Sequence, residues 1–279
     1  MSEPAVTNYL EEYDRRASAA TPEWLAAHRR AGMDAFCATG FPTLRHEDWK
    51  YTDIRPIARH RFRAAVPSMN GMSSGRVGAL RLGDPDPHEM VFVHGHHAAA
   101  LYRAGALPQG LDIRPLGAAI ADSDSLPQQH LAPGADIAGN PFVALNSAFM
   151  NDGACVSVAD DAIIETPIHL MFLSGSAGES VVSFPRNLFV LGRNAKATVI
   201  EHYWGTDESS YFTDTVTDVI LGPGARLEHY KLQQEGSQAF HIGALRIFQD
   251  RLSRLESHSI SLGGALARND IHARLAADG

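Results

Sequence analysis

Several sets of side chains in this sequence have the types and spacing for chemistry. His94-Gly95-His96-His97 brings imidazoles together, as transition-metal sites do. His94 and His96 share at most one strand face, however, and no carboxylate or thiolate lies close in sequence, so a solvated strand end is expected. Glu201-His202-Tyr203 recurs 27 residues later as Glu228-His229-Tyr230. If the two copies stacked, His202 and His229 would be neighbours able to share a proton or a metal with Glu201 and Glu228. Cys155 follows a glycine turn and opens an alternating stretch, which reads as a small buried hydrophobe; no neighbour in sequence supplies the base that a reactive thiolate needs. Trp49-Lys50-Tyr51 sets a cation between two aromatics, with Glu47 and Asp48 able to pair with Arg45, Lys50 or Arg55. That last set predicts a locked junction rather than a reaction centre. There is no Gly-x-x-x-x-Gly-Lys-Ser/Thr loop and no Cys-x-x-Cys pair, and no residue is assigned a catalytic or metal-binding role.

The elements that position these residues are written most plainly in a repeat. NLFVLGRNAKATVIEHYWG, DVILGPGARLEHYKLQQEG and RIFQDRLSRLESHSISLGG each pair two strand-like stretches across a turn rich in Gly, Asn, Pro or Asp. In the first copy the strands are residues 188–191 and 197–203. Aligning the turns superposes Ala195, Ala225 and Ser253, at periods of 30 and 28 residues. Such periods, with no helix between the strands, predict a parallel β-helix whose coils stack strand on strand. The turn register leaves the two Glu-His-Tyr copies out of step.

Ahead of the repeat, Val6, Tyr9, Leu10, Tyr13 and Ala17 fall at helical spacing. A second helix is expected between Thr21 as N-cap with Pro22 behind it and the stop at Gly40 and Pro42, with Cys37 on a packing face. Residues 40–58 read as an ordered connector, 61–82 as an irregular first strand, and 83–87 as a Gly/Pro/Asp break. Strands are expected at 90–94 and 155–158, a short helix at 116–121, and loop from 126 to 141. Residues 142–145 are read as the start of the solenoid, with Asn146, Asn151 and Asp152 satisfying backbone groups at its corners. The expected domains are a helical region with connector over 1–60 and a β-helix over 61–279. The sequence closes on a further strand with no capping segment, so an open last coil, free to meet a partner or a second copy, is expected.

At 279 residues the chain is long enough for a sizeable core. A net charge of −8 argues against a nucleic-acid or anionic-membrane surface. Cys37 and Cys155 make no disulfide framework, the N-terminus has no apolar signal core, and no run approaches a membrane span; the cytoplasm is the expected compartment.

RHEDWKYTDI carries the E-x-W-K-Y-T signature found near the N-terminus of the SufD branch of the SufB/SufD family, which serves SUF iron-sulfur cluster assembly. VFVHGHH resembles that family's strand and Asn-Gly segment, with His94 in place of the usual Asn. FVALNSAFMNDGACVSV, ETPIHLMFL, PRNLFVLGRNAKATVIEHYWG and SLGGALARNDI resemble its core blocks, in the family's order and over nearly the whole chain. The resemblance implies an N-terminal helical region followed by a right-handed parallel β-helix, in a fold class that is mainly β. It implies a non-catalytic scaffold subunit that works with SufB and the ATPase SufC, with Glu47, Trp49, Lys50, Tyr51 and Thr52 as motif residues of structural or partner-contact role. The iron-sulfur cluster would be handled transiently by the full complex rather than held by this chain alone. The sequence stops where the family's β-helix continues, so the family's C-terminal part is expected to be lacking. The alternatives are a β-solenoid interaction module or homodimer and, behind it, a β-helix polysaccharide-active enzyme, which would need clustered carboxylates in a groove.

Overall fold

The computed structural model describes residues 3–16, 21–69, 72–82, 88–101, 105–131, 139–175, 180–207 and 210–276. Its strands, in chain order, are β1 (Arg63–Ala64), β2 (His88–Val93), β3 (His96–His97), β4 (Leu111–Pro115), β5 (Ala154–Val158), β6 (Ile168–Ser174), β7 (Val181–Ser183), β8 (Arg186–Leu191), β9 (Lys196–Gly205), β10 (Phe212–Leu221), β11 (Arg226–Gln234), β12 (Phe240–Gln249), β13 (Arg254–Ser261) and β14 (Leu266–Leu275). They form a β-solenoid of about four turns in which successive coils feed two sheets. One sheet runs through β4, β5, β8, β10, β12 and β14, with β7 and β1 beside β10; the other runs β3, β2, β6, β9, β11, β13. All pairings are parallel except β4 with β5 and β2 with β3.

The corners explain the repeat. Asp161, Asn194, Gly224 and Leu252 have φ of 60°, 54°, 70° and 58°, one left-handed residue at the corresponding corner of each coil. Gly and Asn take this conformation at low cost, and Leu252, four-fifths exposed, tolerates it at the surface. Corner amides bond coil to coil: Asp161 N to Arg193 O, Asn194 N to Pro223 O, Gly224 N to Arg251 O. Lys196 pairs with Arg226 and Arg226 with Arg254, which is the register that the turn alignment predicts.

The helices are α1 (Glu3–Arg16), α2 (Glu23–Thr39), α3 (Arg55–Arg59), α4 (Ser74–Ala79), α5 (Leu116–Ala121), α6 (Ser125–Leu131) and α7 (Pro141–Phe149). They cover the outer face of the first sheet, except α4, which packs on the second through Val77 against Val91, Val93, Met171 and Leu173. α1 agrees with the expected spacing, although Leu10 is exposed and Ala17 lies outside the described residues. α2 starts one residue later than expected: Pro22 occupies the cap, and the Thr21 hydroxyl accepts from Arg29 instead. It ends as expected at Gly40, where φ is 62°. Cys37 is exposed, contrary to expectation, because Met33 and Phe36 take the packing stripe and a helix turns about 100° per residue.

The largest difference is α7, expected as solenoid strand. Its continuous apolar run does not distinguish a buried helix from a buried strand. The decision lies just upstream, where Asn140 caps the backbone N–H groups of Phe142 and Val143 and Pro141 takes the first helical turn. α7 is buried along its length between α2 and the sheet; a Cβ on Gly32 would sit 2.7 Å from Ala144 O and Ala148 N, so glycine is what lets α2 approach. The expected loop at 126–141 contains α6, with Asp124 accepting from Leu126 N at 2.9 Å. The expected strand at 61–82 is only β1, followed by α4. The break at 83–87 lies outside the described residues. The strand from 90 begins two residues earlier, as β2, and the helix at 116–121 and the strand from 155 stand as expected.

Candidate functional site

Along a strand, residues two apart share a face. In β9, Ala197 and Val199 face the solenoid interior among the apolar core, and the same parity carries Glu201 and Tyr203 inward. In β11, Leu227 does the same for His229, Lys231 and Gln233. From the opposite sheet come Asn187, Thr213, Thr215, Thr217 and His241. The last coils therefore enclose a polar seam continuous with the apolar core, beside the stacked rings of Phe92, Phe172 and Tyr203 at centroid distances of 4.9 and 4.7 Å.

Glu201 is the seam's centre. Its carboxylate accepts from His229 Nε2 at 2.9 Å, Thr217 Oγ1 at 2.8 Å, Tyr203 Oη at 2.5 Å and Asn187 Nδ2 at 3.2 Å. Burial pushes its pKa up, but the bond and charge of His229, then Lys231, then the Tyr203 bond outweigh burial and hold it at about 2. Tyr203 is driven the other way by burial and by the Glu201 charge. Lys231 places its ammonium 5.1 Å from the Tyr203 ring centroid and 3.2 Å from Asn269 Oδ1. Burial lowers its pKa, opposed by Glu201, Glu235 and Asp270. A Cβ on Gly243 would lie 2.1 Å from Lys231 Nζ, so glycine there makes room for the ammonium.

One step along, Glu235 accepts from His241 Nδ1 at 2.6 Å, Thr213 Oγ1 at 2.7 Å and Gln233 Nε2 at 3.1 Å. Burial raises the Glu235 pKa, and the charge and bond of His241 more than offset it. Two carboxylate–imidazole pairs near an ammonium can hold charge, and each pair can share a proton across its own hydrogen bond.

His202 and His229, read as possible neighbours, are on opposite faces of the second sheet. His202 stacks outside on His169 at 5.5 Å and meets Gln234 Oε1 at 2.9 Å, while Glu228 is exposed. Glu201 instead meets His229 across coils, because Glu201 is in register with Lys231, two residues beyond His229. Lys231, Glu235, His241, Asn187 and Thr217 were not singled out from sequence. Strand parity counted from Val199 and Leu227 was the signal for Lys231.

The connector motif is divided. Glu47, Asp48 and Trp49 form a 3-10 turn, which advances about 120° per residue and sends Trp49 inward. Tyr51 is 91% exposed, with Lys50 Nζ 5.1 Å from its ring centroid and Lys50 ion-paired to Glu47. Lys50 is thus not sandwiched between two rings. The cation on Trp49 is Arg268 of β14, 3.9 Å from the ring centroid, whose Nη1 also donates to Thr52 Oγ1 at 3.0 Å. Arg55 bonds Asp53.

His94 and Gly95, with φ of 51° and 79°, make the two-residue hairpin turn between β2 and β3, where a left-handed pair is required. Asp152 accepts from the backbone N–H of His97, Gly117 and Gly153, the corner role expected of it. Asn146 donates to Pro185 O and Asp214 O. Among the described residues, no three His, Cys, Asp or Glu side chains are grouped to hold a metal ion. Gly71-Met72-Ser73-Ser74-Gly75 has the Gly-x-Ser-x-Gly spacing of a hydrolase elbow, but Ser73 caps α4, accepting from Arg76 N at 3.3 Å.

Cys155 points away from the seam, among Leu25, Leu116, Ile120 and Met150, and burial pushes its thiol to about 12. Cys37 is raised by partial burial and by Asp34 and Asp14. Ellman's reagent should therefore titrate one thiol per chain slowly in the native protein and the second only after unfolding; two fast native thiols would contradict this placement.

No helix among the described residues is long and apolar enough to cross a membrane. The family model for the SufBD protein N-terminal region matches residues 3–170, and that for the SUF system FeS cluster assembly SufBD core domain matches 172–279. An iron-sulfur cluster assembly SufBD family protein of Synechocystis is 28% identical over 88% of this chain and 56% of its own length. Iron-sulfur cluster assembly protein SufD of Escherichia coli is 27% identical over 85% and 53%. SufB of Bacillus subtilis is 22% identical over 57% and 34%. The chain spans about half the length of the first two relatives. With the N-terminal model ending and the core model beginning within the coils that carry the seam's apolar wall, and both laid end to end in order, the chain belongs to the SufBD family of the SUF iron-sulfur cluster assembly system.

Proposed function

We propose that this chain is a SufD-type scaffold subunit, not itself catalytic, which works in the cytoplasm with SufB and the ATPase SufC to build and transfer iron-sulfur clusters. The observation that carries the reading is the end-to-end fit of the SufBD N-terminal and core models over the helices and the solenoid. The similarity to SufD of Escherichia coli supports the SufD side of the family. Clusters are cargo of the complex here: cluster ligation draws on several thiolates, whereas Cys37 lies on α2 and Cys155 on the outer face of β5. Glu47, Lys50 and Tyr51 are exposed, which supports a partner-contact role for them; Trp49 and Thr52 hold the connector to β14.

The test is co-expression with SufB and SufC of the same organism, read by size exclusion, ATPase rate and visible absorbance. A stable complex with stimulated ATPase is expected, with the chain alone colourless. A second reading is a solenoid interaction module or homodimer. Self-association with no binding of SufB or SufC would overturn the first reading and support the second. A polysaccharide-active enzyme would present its carboxylates in an open groove, and Glu201 and Glu235 are enclosed.

A further inference from the structure

The cleft between α1 and α2 gathers four arginines, with its nearby acids set outside the lining. Arg15 and Arg16 close α1, Arg29 and Arg30 lie on α2, and with Tyr13 and Phe149 they line a space of about 470 Å³. Among the described residues no carboxylate lines it. Three acids lie just outside: Glu12, which pairs with Arg15 and acts on Arg16, and Asp14 and Asp34, which act on Tyr13, so they offset part of the four charges.

The two inner guanidinium groups are held by neutral oxygens. Arg29 donates from Nε to Met150 O at 2.9 Å, from Nη1 to Thr21 Oγ1 at 3.3 Å and from Nη2 to Asn151 Oδ1 at 3.3 Å. Arg16 donates from Nη2 to Ala65 O at 2.6 Å. Carbonyl and hydroxyl oxygens orient a guanidinium without neutralising it. Of about five N–H donors on each group, these bonds use three on Arg29 and one on Arg16. Burial lowers the pKa of both; at Arg29 Tyr13 opposes this and the Arg16 charge adds to it, and at Arg16 Glu12 opposes it, so the two guanidinium groups are close enough to feel each other. Two guanidinium groups that keep unused N–H donors among the described residues, in one concave site, match a phosphate, which takes paired N–H donors.

We infer that this cleft binds a small molecule bearing a phosphate or pyrophosphate group, with the anion on Arg16 and Arg29, Arg15 and Arg30 at the rim, and an apolar part against Tyr13 and Phe149. The site is on the helical region, away from the seam, and the inference does not rest on the proposed scaffold role.

Calorimetric titration of the full chain with inorganic pyrophosphate at low ionic strength is the test, with inorganic phosphate as the smaller probe. Saturable one-to-one binding with Kd of about 1 mM or tighter is expected for pyrophosphate, with phosphate about tenfold weaker and a rise in Tm on binding. Arg29→Gln should weaken pyrophosphate about tenfold or more, and the double variant Arg15→Gln/Arg30→Gln about three- to tenfold. If Arg29→Gln does not fold, the double variant decides, since the Arg15 bonds, to Glu11 O and Glu12, stay within the last turn of α1, and among the described residues Arg30 ties α2 to no other element. Absence of saturable binding, or unchanged affinity in the folded variants, overturns the site whether or not the chain binds SufB and SufC.

Discussion

Glu201→Ala should lower the folding stability by about 3–5 kcal/mol, the range for removing one partner of a buried ion pair. The substitution leaves His229, Tyr203, Thr217 and Asn187 without their shared acceptor in a space closed to water. It also strips Lys231 of the largest of the charges that oppose the effect of its burial. Glu201→Gln keeps the shape and loses the charge, so a cost between wild type and alanine is expected in urea unfolding near neutral pH. A loss under about 1 kcal/mol for alanine would mean the seam does not act as one network.

The same pair sets an acid limit. The folded-state pKa of Glu201 is depressed, from an ordinary 4.5 to about 2, so its contribution is present above 4.5 and is lost as the pH falls toward about 2. Glu235 shifts in the same direction. Wild type should therefore lose stability steeply across that window and Glu201→Gln less steeply, with the residual slope carried by Glu235. Equal slopes would remove Glu201 from the account.

Trp49→Ala should cost about 3–5 kcal/mol, as emptying a large buried aromatic site does. Trp49 is 5% exposed, its ring 5.2 Å from that of Phe142 on one side and beneath the Arg268 guanidinium on another. Arg268 in turn holds Thr52 and, at 2.7 Å, Asp270, whose second oxygen accepts from Asn140, the cap of α7. The connector, the last strand and the start of α7 are thus one mechanical unit. Hydrogen exchange should speed at Phe142 and Val143 in Trp49→Ala, while Trp49→Phe retains most of the protection. Arg268→Gln should cost about 0.5–2 kcal/mol through the lost cation–π contact. Unchanged exchange at α7 in Trp49→Ala would show that the motif does not hold this junction.

The solenoid was legible because its corners are local: a left-handed residue recurs at Asp161, Asn194, Gly224 and Leu252 within turns rich in Gly, Asn, Pro or Asp, so aligning turns recovered the register of β9, β11 and β13. The exposed half of the connector was legible for the same reason, since Glu47 and Lys50 are one turn apart. Three results came only from the tertiary structure. α7 is a helix because Asn140 and Pro141 outvote an apolar run that either element can use, and because α2 and the sheet bury it on both sides. Arg268 reaches Trp49 across 219 residues of sequence, a distance no local pattern spans. The seam has the same cause. Alternation marks which residues share a face, but a polar residue on the inward face is stable only if another coil brings its partner. His229, His241 and Asn187 reach the carboxylates of Glu201 and Glu235 because parallel coils stack them there. Local sequence determined where the chain turns; packing between coils decided which buried charges it could keep.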